Sequence, residues 1–201
     1  MLRTTARRFF EDEVAPHAAR FRAQHHVDRA VWEKAGALGL LCMSIPEAYG
    51  GQGASFAHEV VVMEEQARIC DTTFGFIPGG LNGPAFFHGT ATHEQLLRWM
   101  PGIASGRQML CVCITEPDAG TDVKAMRTTA RREDDEYVLN GNKIFITLGQ
   151  QADLALVAAR TGAPGSGAKG ISLFMIETAK TPGFKVNKVL DKIGQNALNT
   201  A

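Results

Sequence analysis

The chain has 201 residues, of which 45% are hydrophobic and 21% charged, and its 21 basic and 21 acidic residues leave no net charge. This length is enough for one large domain or two small ones with real cores. The charge balance argues against nucleic acid as the main partner, because phosphate backbones attract clustered positive charge. The sequence lacks an apolar run of the roughly 20 residues that cross a bilayer, and Met1–Phe10 has no cleavage site, so we expect a cytoplasmic protein.

The first half of the chain has the 3.6-residue periodicity of amphipathic helices. Leu2–Val14 is one such segment, and Pro16 is expected to bend or end it. Asp28 is expected to cap a second helix. The apolar face of that helix would carry Val31, Trp32, Ala35 and Leu38.

A third helix is predicted from the apolar residues Phe56, Val60, Met63, Ala67 and Cys70. Its neighbouring Glu64 and Glu65 are expected on the solvated face.

Glycine and proline interrupt Asp71–Gly89, so propensity alone predicts irregular structure there. Thr92 and Gln95 fit a capping box for a short helix that Pro101 would end.

The second half has the shorter period of strands. Asn140-Gly141 is a two-residue hairpin signal, and Thr161–Lys169 is predicted as a surface loop. Antiparallel pairing of these strands predicts a barrel or sandwich. The predicted strands after the apolar run Met109–Ile114 are Val123–Arg132, Glu136–Leu139, Lys143–Leu148, Asp153–Arg160, Ile171–Ile176 and Phe184–Val189.

The stretch Met109–Asp122 joins an apolar strand to a sharp turn through Pro117 and Gly120. Unpaired amides in such a turn form a concavity that suits a phosphate or pyrophosphate, and Gly120 has no side chain to exclude a ligand. A strand followed by a turn of this kind also occurs as a simple chain reversal.

Three motifs in order carry a family resemblance. Cys113–Asp122 (CITEPDAGTD) resembles the flavin-binding signature of the acyl-CoA dehydrogenases, Ile45–Gly53 resembles a loop between early helices of that family, and Tyr137–Thr147 resembles its second flavin-contacting strand. The resemblance implies an all-α helical domain over residues 1–104 and an antiparallel β-barrel over residues 105–201. The family's C-terminal four-helix domain is expected to be absent, and a buried helix is implied within Asp71–Gly89.

The resemblance also implies FAD as cofactor. Thr115 and Thr147 would face the edge of the flavin ring, and Phe145 would stack on it. Asp118, where glycine is common, would add negative charge near the pyrophosphate. Thr121 would also contact the substrate. The full set of implied cofactor-binding residues is Val112, Cys113, Ile114, Thr115, Gly120, Thr121, Phe145, Ile146 and Thr147.

The implied activity is α,β-dehydrogenation of a fatty acyl-CoA, leaning to the long-chain branch. In the family the catalytic base lies in the C-terminal domain, so no catalytic residue is expected here. Glu116 follows Thr115 on a strand and should face away from the ring. The implied partners are an electron-transfer flavoprotein as acceptor and further copies of the chain in a dimer or tetramer, located in the mitochondrial matrix if the protein is eukaryotic.

Two other interpretations stay open. The same fold serves acyl-CoA oxidases and flavin monooxygenases, and a truncated chain could instead be a non-catalytic binding module. A zinc site is not expected, because the four cysteines lack zinc-binding spacing and are expected to be buried free thiols.

Overall fold

The computed structural model describes residues 1–163 and 165–201. Residue 164, within the predicted loop at 161–169, lies outside them. α-Helices occupy the first half of the chain and strands the second. The helices are α1 (Leu2–Phe9), α2 (Ala18–Gln24), α3 (Arg29–Ala37), α4 (Phe56–Arg68), α5 (Gly83–His88) and α6 (His93–Ala104). The strands are β1 (Leu110–Cys113), β2 (Thr129–Glu133), β3 (Glu136–Asn140), β4 (Leu154–Arg160) and β5 (Ile171–Glu177).

Strand β4 is the centre of the sheet. One of its edges pairs with β5 in antiparallel fashion along the whole strand. The other edge pairs with β1 in parallel and meets β2 where Thr129 lies opposite Arg160, while β3 pairs with β2. The prediction of purely antiparallel strands is therefore wrong. Among the described residues the sheet does not close on itself, so a barrel is not confirmed.

Two predicted strands, Lys143–Leu148 and Phe184–Val189, are absent from the described part of the chain. Asn140-Gly141 does not form the predicted hairpin, because Gly141 lies directly on Thr128. A Cβ at Gly141 would be 2.2 Å from Thr128 Oγ1. The chain then continues without regular secondary structure toward Thr147 instead of pairing with β3. Residues Val123–Ala125, also predicted as strand, form a 3-10 turn.

Several helix predictions need correction at their ends. The first helix continues through a π turn at Phe10–Val14 and passes Pro16 into α2. Asp28 precedes α3 without capping it, because its carboxylate accepts hydrogen bonds from Arg20 and Gln24. Leu38 is exposed rather than part of the buried face.

The capping box of Thr92 and Gln95 is confirmed at the start of α6. The prediction that Pro101 ends α6 is wrong. The helix continues past Pro101 to Ala104, with Ile103 and Ala104 buried. The buried helix implied within Asp71–Gly89 is also confirmed. A π turn at Phe76–Asn82 leads into α5 there.

One hydrophobic core joins the helices to the sheet. Phe10, Trp32 and Phe74 form its aromatic centre, with the Trp32 and Phe74 rings 4.4 Å apart. Leu110 of β1 and Leu154 of β4 belong to the same cluster. The helices therefore fix the position of β1, which lies between them and β4.

The cysteines are free thiols as predicted, but their burial differs. Cys42, Cys111 and Cys113 are buried and Cys70 is exposed. In the described residues there is no cluster of three or more His, Cys, Asp or Glu side chains that could hold a metal ion. Their helices also include none with the length and apolar character of a membrane span.

The buried face of α4 differs most from the prediction. It carries Glu59, Val62 and Glu65, whereas Phe56 and Cys70 are exposed. The Glu65 side chain is 0% exposed because Arg3 and Arg7 of α1 both donate to it at 2.8 Å. Hydrogen bonds from Arg7 and Arg3 outweigh the effect of burial and lower the pKa of Glu65 to about 2. The ion pair thus fastens α1 to α4.

We expect Glu65→Gln to lower Tm by at least about 3 °C at pH 7, because two arginines lose their buried partner. Glu64→Gln is the matched control. Glu64 is half exposed and pairs with Arg3 alone, so its loss should shift Tm by less than about 2 °C. Thermal unfolding followed by circular dichroism measures both. Equal shifts for the two variants would contradict the special role of Glu65.

Candidate functional site

A cleft of about 530 Å³ opens between α5 and β1. This volume lies within the range of small-molecule binding sites, and most of the lining is apolar with two polar side chains, as is usual for such sites. The lining residues are Pro78, Asn82, Gly83, Ala85, Phe86, Leu110, Cys111, Val112, Ile114, Phe145 and Thr147.

The cleft runs along a free edge of β1. Strand β1 pairs with β4 on one edge and with no other strand among the described residues. Because side chains alternate between the two faces of a strand, lining by three consecutive residues, Leu110–Val112, places the cleft along the strand's edge. Backbone N–H and C=O groups at such an edge are available to a ligand.

Four of the sequence-predicted site residues line this cleft: Val112, Ile114, Phe145 and Thr147. The other predicted residues do not. Cys113 and Ile146 are buried in a small core cluster beneath the cleft, and Thr115 is half-buried beside it. Gly120 and Thr121 are exposed on the turn outside it.

Phe145 has an unusual conformation for an aromatic residue. Its ring is 63% exposed, and its backbone φ of 61° lies in the left-handed region, which non-glycine residues rarely adopt. The strain and the loss of apolar burial both oppose this arrangement. Residues held in such a state cluster at ligand sites, so the observation supports a binding role for the ring.

The turn after β1 is closed by two backbone hydrogen bonds between Glu116 and Ala119, of 2.9 and 3.2 Å. The amides of Gly120 and Thr121 donate to no acceptor among the described residues. A Cβ at Gly120 would meet no atom within 4 Å. The fold itself therefore leaves room for a side chain at this position. Asp118, expected to add negative charge, is paired with Arg127 at 3.0 Å.

Glu116 begins the turn, and three donors from the protein bind both of its carboxylate oxygens. It accepts hydrogen bonds from Lys143 Nζ at 2.7 Å and from the backbone N–H groups of Arg127 and Thr128 at 2.6 and 3.0 Å. Burial alone would raise its pKa, but these bonds outweigh burial and lower the pKa to about 2. A carboxylate held ionised in this way is a poor proton acceptor.

The opposite wall was missed at residue level by the sequence analysis. Asn82, Ala85 and Phe86 line the cleft from the π turn and α5, while Phe87 points into the core. Their spacing of i, i+3 and i+4 is that of one helical face, and this signal was present in the sequence. The glycines and prolines around it concealed the helix.

Two family models match this chain. Residues 1–107 match the acyl-CoA dehydrogenase N-terminal domain, and residues 111–201 match the acyl-CoA dehydrogenase middle domain. The chain belongs to the acyl-CoA dehydrogenase family. The helical domain and the strand domain described above are the two domains that these models represent.

The long-chain specific acyl-CoA dehydrogenase of Mus musculus mitochondria is 38% identical over 100% of this chain and 47% of its own length. A crystal structure of acyl-CoA dehydrogenase from Geobacillus kaustophilus superposes with a TM-score of 0.91 at 35% identity, covering 100% of this chain and 53% of that one. A glutaryl-CoA dehydrogenase from Mycobacterium smegmatis, solved in complex with FADH2, gives a TM-score of 0.87 at 30% identity, covering 99% and 50%. This chain thus spans about half the length of the relatives it matches.

We expect the stabilisation from Glu116 to depend on pH. An unfolded glutamate has a pKa of about 4.3, whereas that of folded Glu116 is about 2. The stabilisation is therefore complete above about pH 5 and lost as the pH falls toward 2. The difference in Tm between the parent and Glu116→Gln should accordingly be largest at neutral pH and shrink below pH 4.

Thermal unfolding at intervals from pH 7 to pH 3 measures this difference. Glu136→Gln, at an exposed position of β3, controls for the general effect of removing one carboxylate. A gap between parent and Glu116→Gln that stays constant across this range would show that Glu116 is not held ionised by its partners.

Proposed function

We propose that this chain forms the flavin-binding wall of an FAD-dependent acyl-CoA dehydrogenase that oxidises the α,β bond of a fatty acyl-CoA thioester. The observation that carries the proposal is the cleft along the free edge of β1, with Phe145 and Thr147 on its border. A flat heteroaromatic ring with polar edges fits such a site, because it needs apolar contact on its face and hydrogen bonds at its rim.

The residues present fit FAD. Val112, Ile114 and Phe145 offer apolar contact for a ring face, and Thr147 offers a hydroxyl at the border of the cleft. The free amides of Gly120 and Thr121 suit the pyrophosphate. FAD, when bound, supplies the capacity to accept a hydride from the substrate. The Mycobacterium smegmatis relative holds the reduced form of this cofactor, which supports the assignment.

In this proposal the residues of the chain bind and orient the cofactor and the substrate, and they do not provide the catalytic base. None of the cleft-lining residues in the described part of the chain is a carboxylate, and Glu116 is occupied by Lys143 and two amides. Removal of the substrate's α proton then falls to a group outside residues 1–201. The domain assignment that accompanies this proposal is 1–104 helical and 105–201 flavin-binding.

The apolar wall of Pro78, Ala85 and Phe86 suits the acyl chain, and we assign to Thr121, which is exposed on the turn after β1, the contact with cofactor or coenzyme A phosphate. An electron-transfer flavoprotein is the proposed electron acceptor, and a dimer or tetramer the proposed assembly. The named relative from Mus musculus acts on long-chain substrates, which supports a fatty acyl-CoA as the substrate class.

We expect FAD to bind the chain weakly, with a dissociation constant in the micromolar range or above, and Gly120→Val to weaken binding at least about tenfold. The new side chain meets open space in the fold, so it should leave Tm unchanged and obstruct the phosphates alone. Quenching of flavin fluorescence measures the affinity. Gly194→Val is the matched control, because a Cβ at Gly194 also meets no atom within 4 Å.

A parent chain that binds no FAD at millimolar concentration would refute the proposal. Binding by Gly120→Val at the parent's affinity would refute the placement of the phosphates while leaving the ring site untouched.

We expect the 201-residue chain to show no dehydrogenation of saturated acyl-CoA above background, since loss of a general base alone removes about 10²–10⁴ in rate. The assay uses saturating FAD and an artificial electron acceptor. Turnover near that of an intact dehydrogenase would place the base within residues 1–201. Loss of that turnover in Glu116→Gln would then identify Glu116 as the base.

A further inference from the structure

A buried ion pair lies beside the cleft, between two chain segments that contribute to it. Lys143 Nζ is 2.7 Å from Glu116 Oε1, and the two side chains are 10% and 5% exposed. Lys143 also donates to the carbonyl oxygen of Ile114 at 3.1 Å. The lysine thus contacts both the last residue of the β1 wall and the turn that follows it.

The same carboxylate binds a third segment. Glu116 accepts the N–H groups of Arg127 and Thr128, which precede β2. Gly141 lies on Thr128 from the other side, with space for no side chain between them. The pair therefore joins the turn after β1, the approach to β2 and the segment that leads to Phe145 and Thr147.

The segment Lys143–Thr147 is not a strand of the sheet. Its far end is held to residues 199–201 by the Thr147–Thr200 bridge and by two backbone bonds between Ile146 and Ala201, of 2.8 and 3.0 Å; in the described part of the chain its near end has no such pairing with β1. Apart from the lysine contacts, its hydrogen bonding to the β1 side within the described residues is the bond from Ile144 N–H to Thr115 O, of 2.9 Å. Movement of the segment away from β1 would break that bond and separate two largely buried opposite charges, leaving Glu116 with its two amide donors alone, which is unfavourable.

We propose that Lys143 and Glu116 are positioning residues for the cleft, which hold the Phe145–Thr147 wall at a fixed distance from the Ile114 edge and so determine the affinity for the flavin ring. This inference rests on the proposed function, since it takes the cleft as the FAD site. Neither side chain lines the cleft, so they act through the residues that do. A buried ion pair often contributes little net stability but fixes one arrangement, which agrees with a positioning role.

The test compares Lys143→Met, Lys143→Arg and a control, Lys180→Met, in the 201-residue chain. Lys180 pairs with Glu177 at 2.5 Å after β5, away from the cleft lining. Lys143→Met should weaken FAD binding by about tenfold or more. Lys143→Arg keeps the charge and the donors and should stay within about threefold of the parent, and Lys180→Met should equal the parent.

Hydrogen exchange separates positioning from general stability and needs no flavin. In Lys143→Met the amide of Ile144, which donates to Thr115, should lose protection, while the amide of Ile146, which donates to Ala201, and that of Leu156 in the central strand keep it. A residue that only stabilises the fold would lower protection at all three sites together. Should Lys143→Met fail to fold, the double variant with Glu116→Gln leaves no buried charge unpaired and should show the same losses.

The outcomes are distinguishable. Unchanged affinity and unchanged exchange at Ile144 in Lys143→Met would overturn the positioning role while the proposed function stands. Uniform loss of protection would overturn it in favour of a general stabilising role. A parent that binds no FAD would overturn the proposed function, and the inference about flavin affinity with it.

Discussion

A buried carboxylate needs partners, and the partners of Glu116 determine how the irregular part of this molecule is arranged. The carboxylate lies where β1 ends, and it binds one lysine and two backbone amides from segments that form no strand pairing with one another there. A charge in a poorly solvated site tolerates little displacement of its partners. The turn after β1 is thereby linked to the approach to β2 and to the segment after β3, which the Thr129–Asn140 pairing already holds together.

The second constraint is the position of β1 within the sheet. Its parallel pairing with β4 satisfies one edge, and the core shared with the helices keeps its position fixed. The other edge is left without a strand in the described residues. A free edge of this kind is normally a hazard for aggregation. Here α5 and Phe145 stand on either side of it and turn it into the wall of a cleft, so the free backbone groups become a binding surface.

Sequence patterns correctly predicted the elements whose structure depends on residues close together in the chain. The capping box of α6 and the strands β4 and β5 depend on neighbouring residues, and they were found. The features that were predicted wrongly depend on contacts between residues far apart in the sequence. Glu65 is buried because Arg3 and Arg7 reach it from α1, and a periodic pattern within α4 contains no information about that. Gly141 resembles a hairpin residue, yet its conformation follows from its packing on Thr128.

The candidate site likewise depends partly on local sequence motifs and partly on long-range contacts. The motif resemblance identified residues near the cleft, but four of the nine line it. The segment around Phe145 pairs with residues 199–201 and not with β3, a long-range contact that its own sequence does not signal. Two features of Phe145 are unfavourable in themselves, namely its left-handed backbone conformation and its exposed aromatic side chain. Such a state persists only when the surroundings over-determine it. Here the Lys143–Glu116 pair restrains the chain before Phe145, and the pairing of Ile146 and Thr147 with residues 199–201 restrains it afterwards. A planar ligand stacked on the ring would recover the lost apolar burial and so offset part of the cost of this conformation.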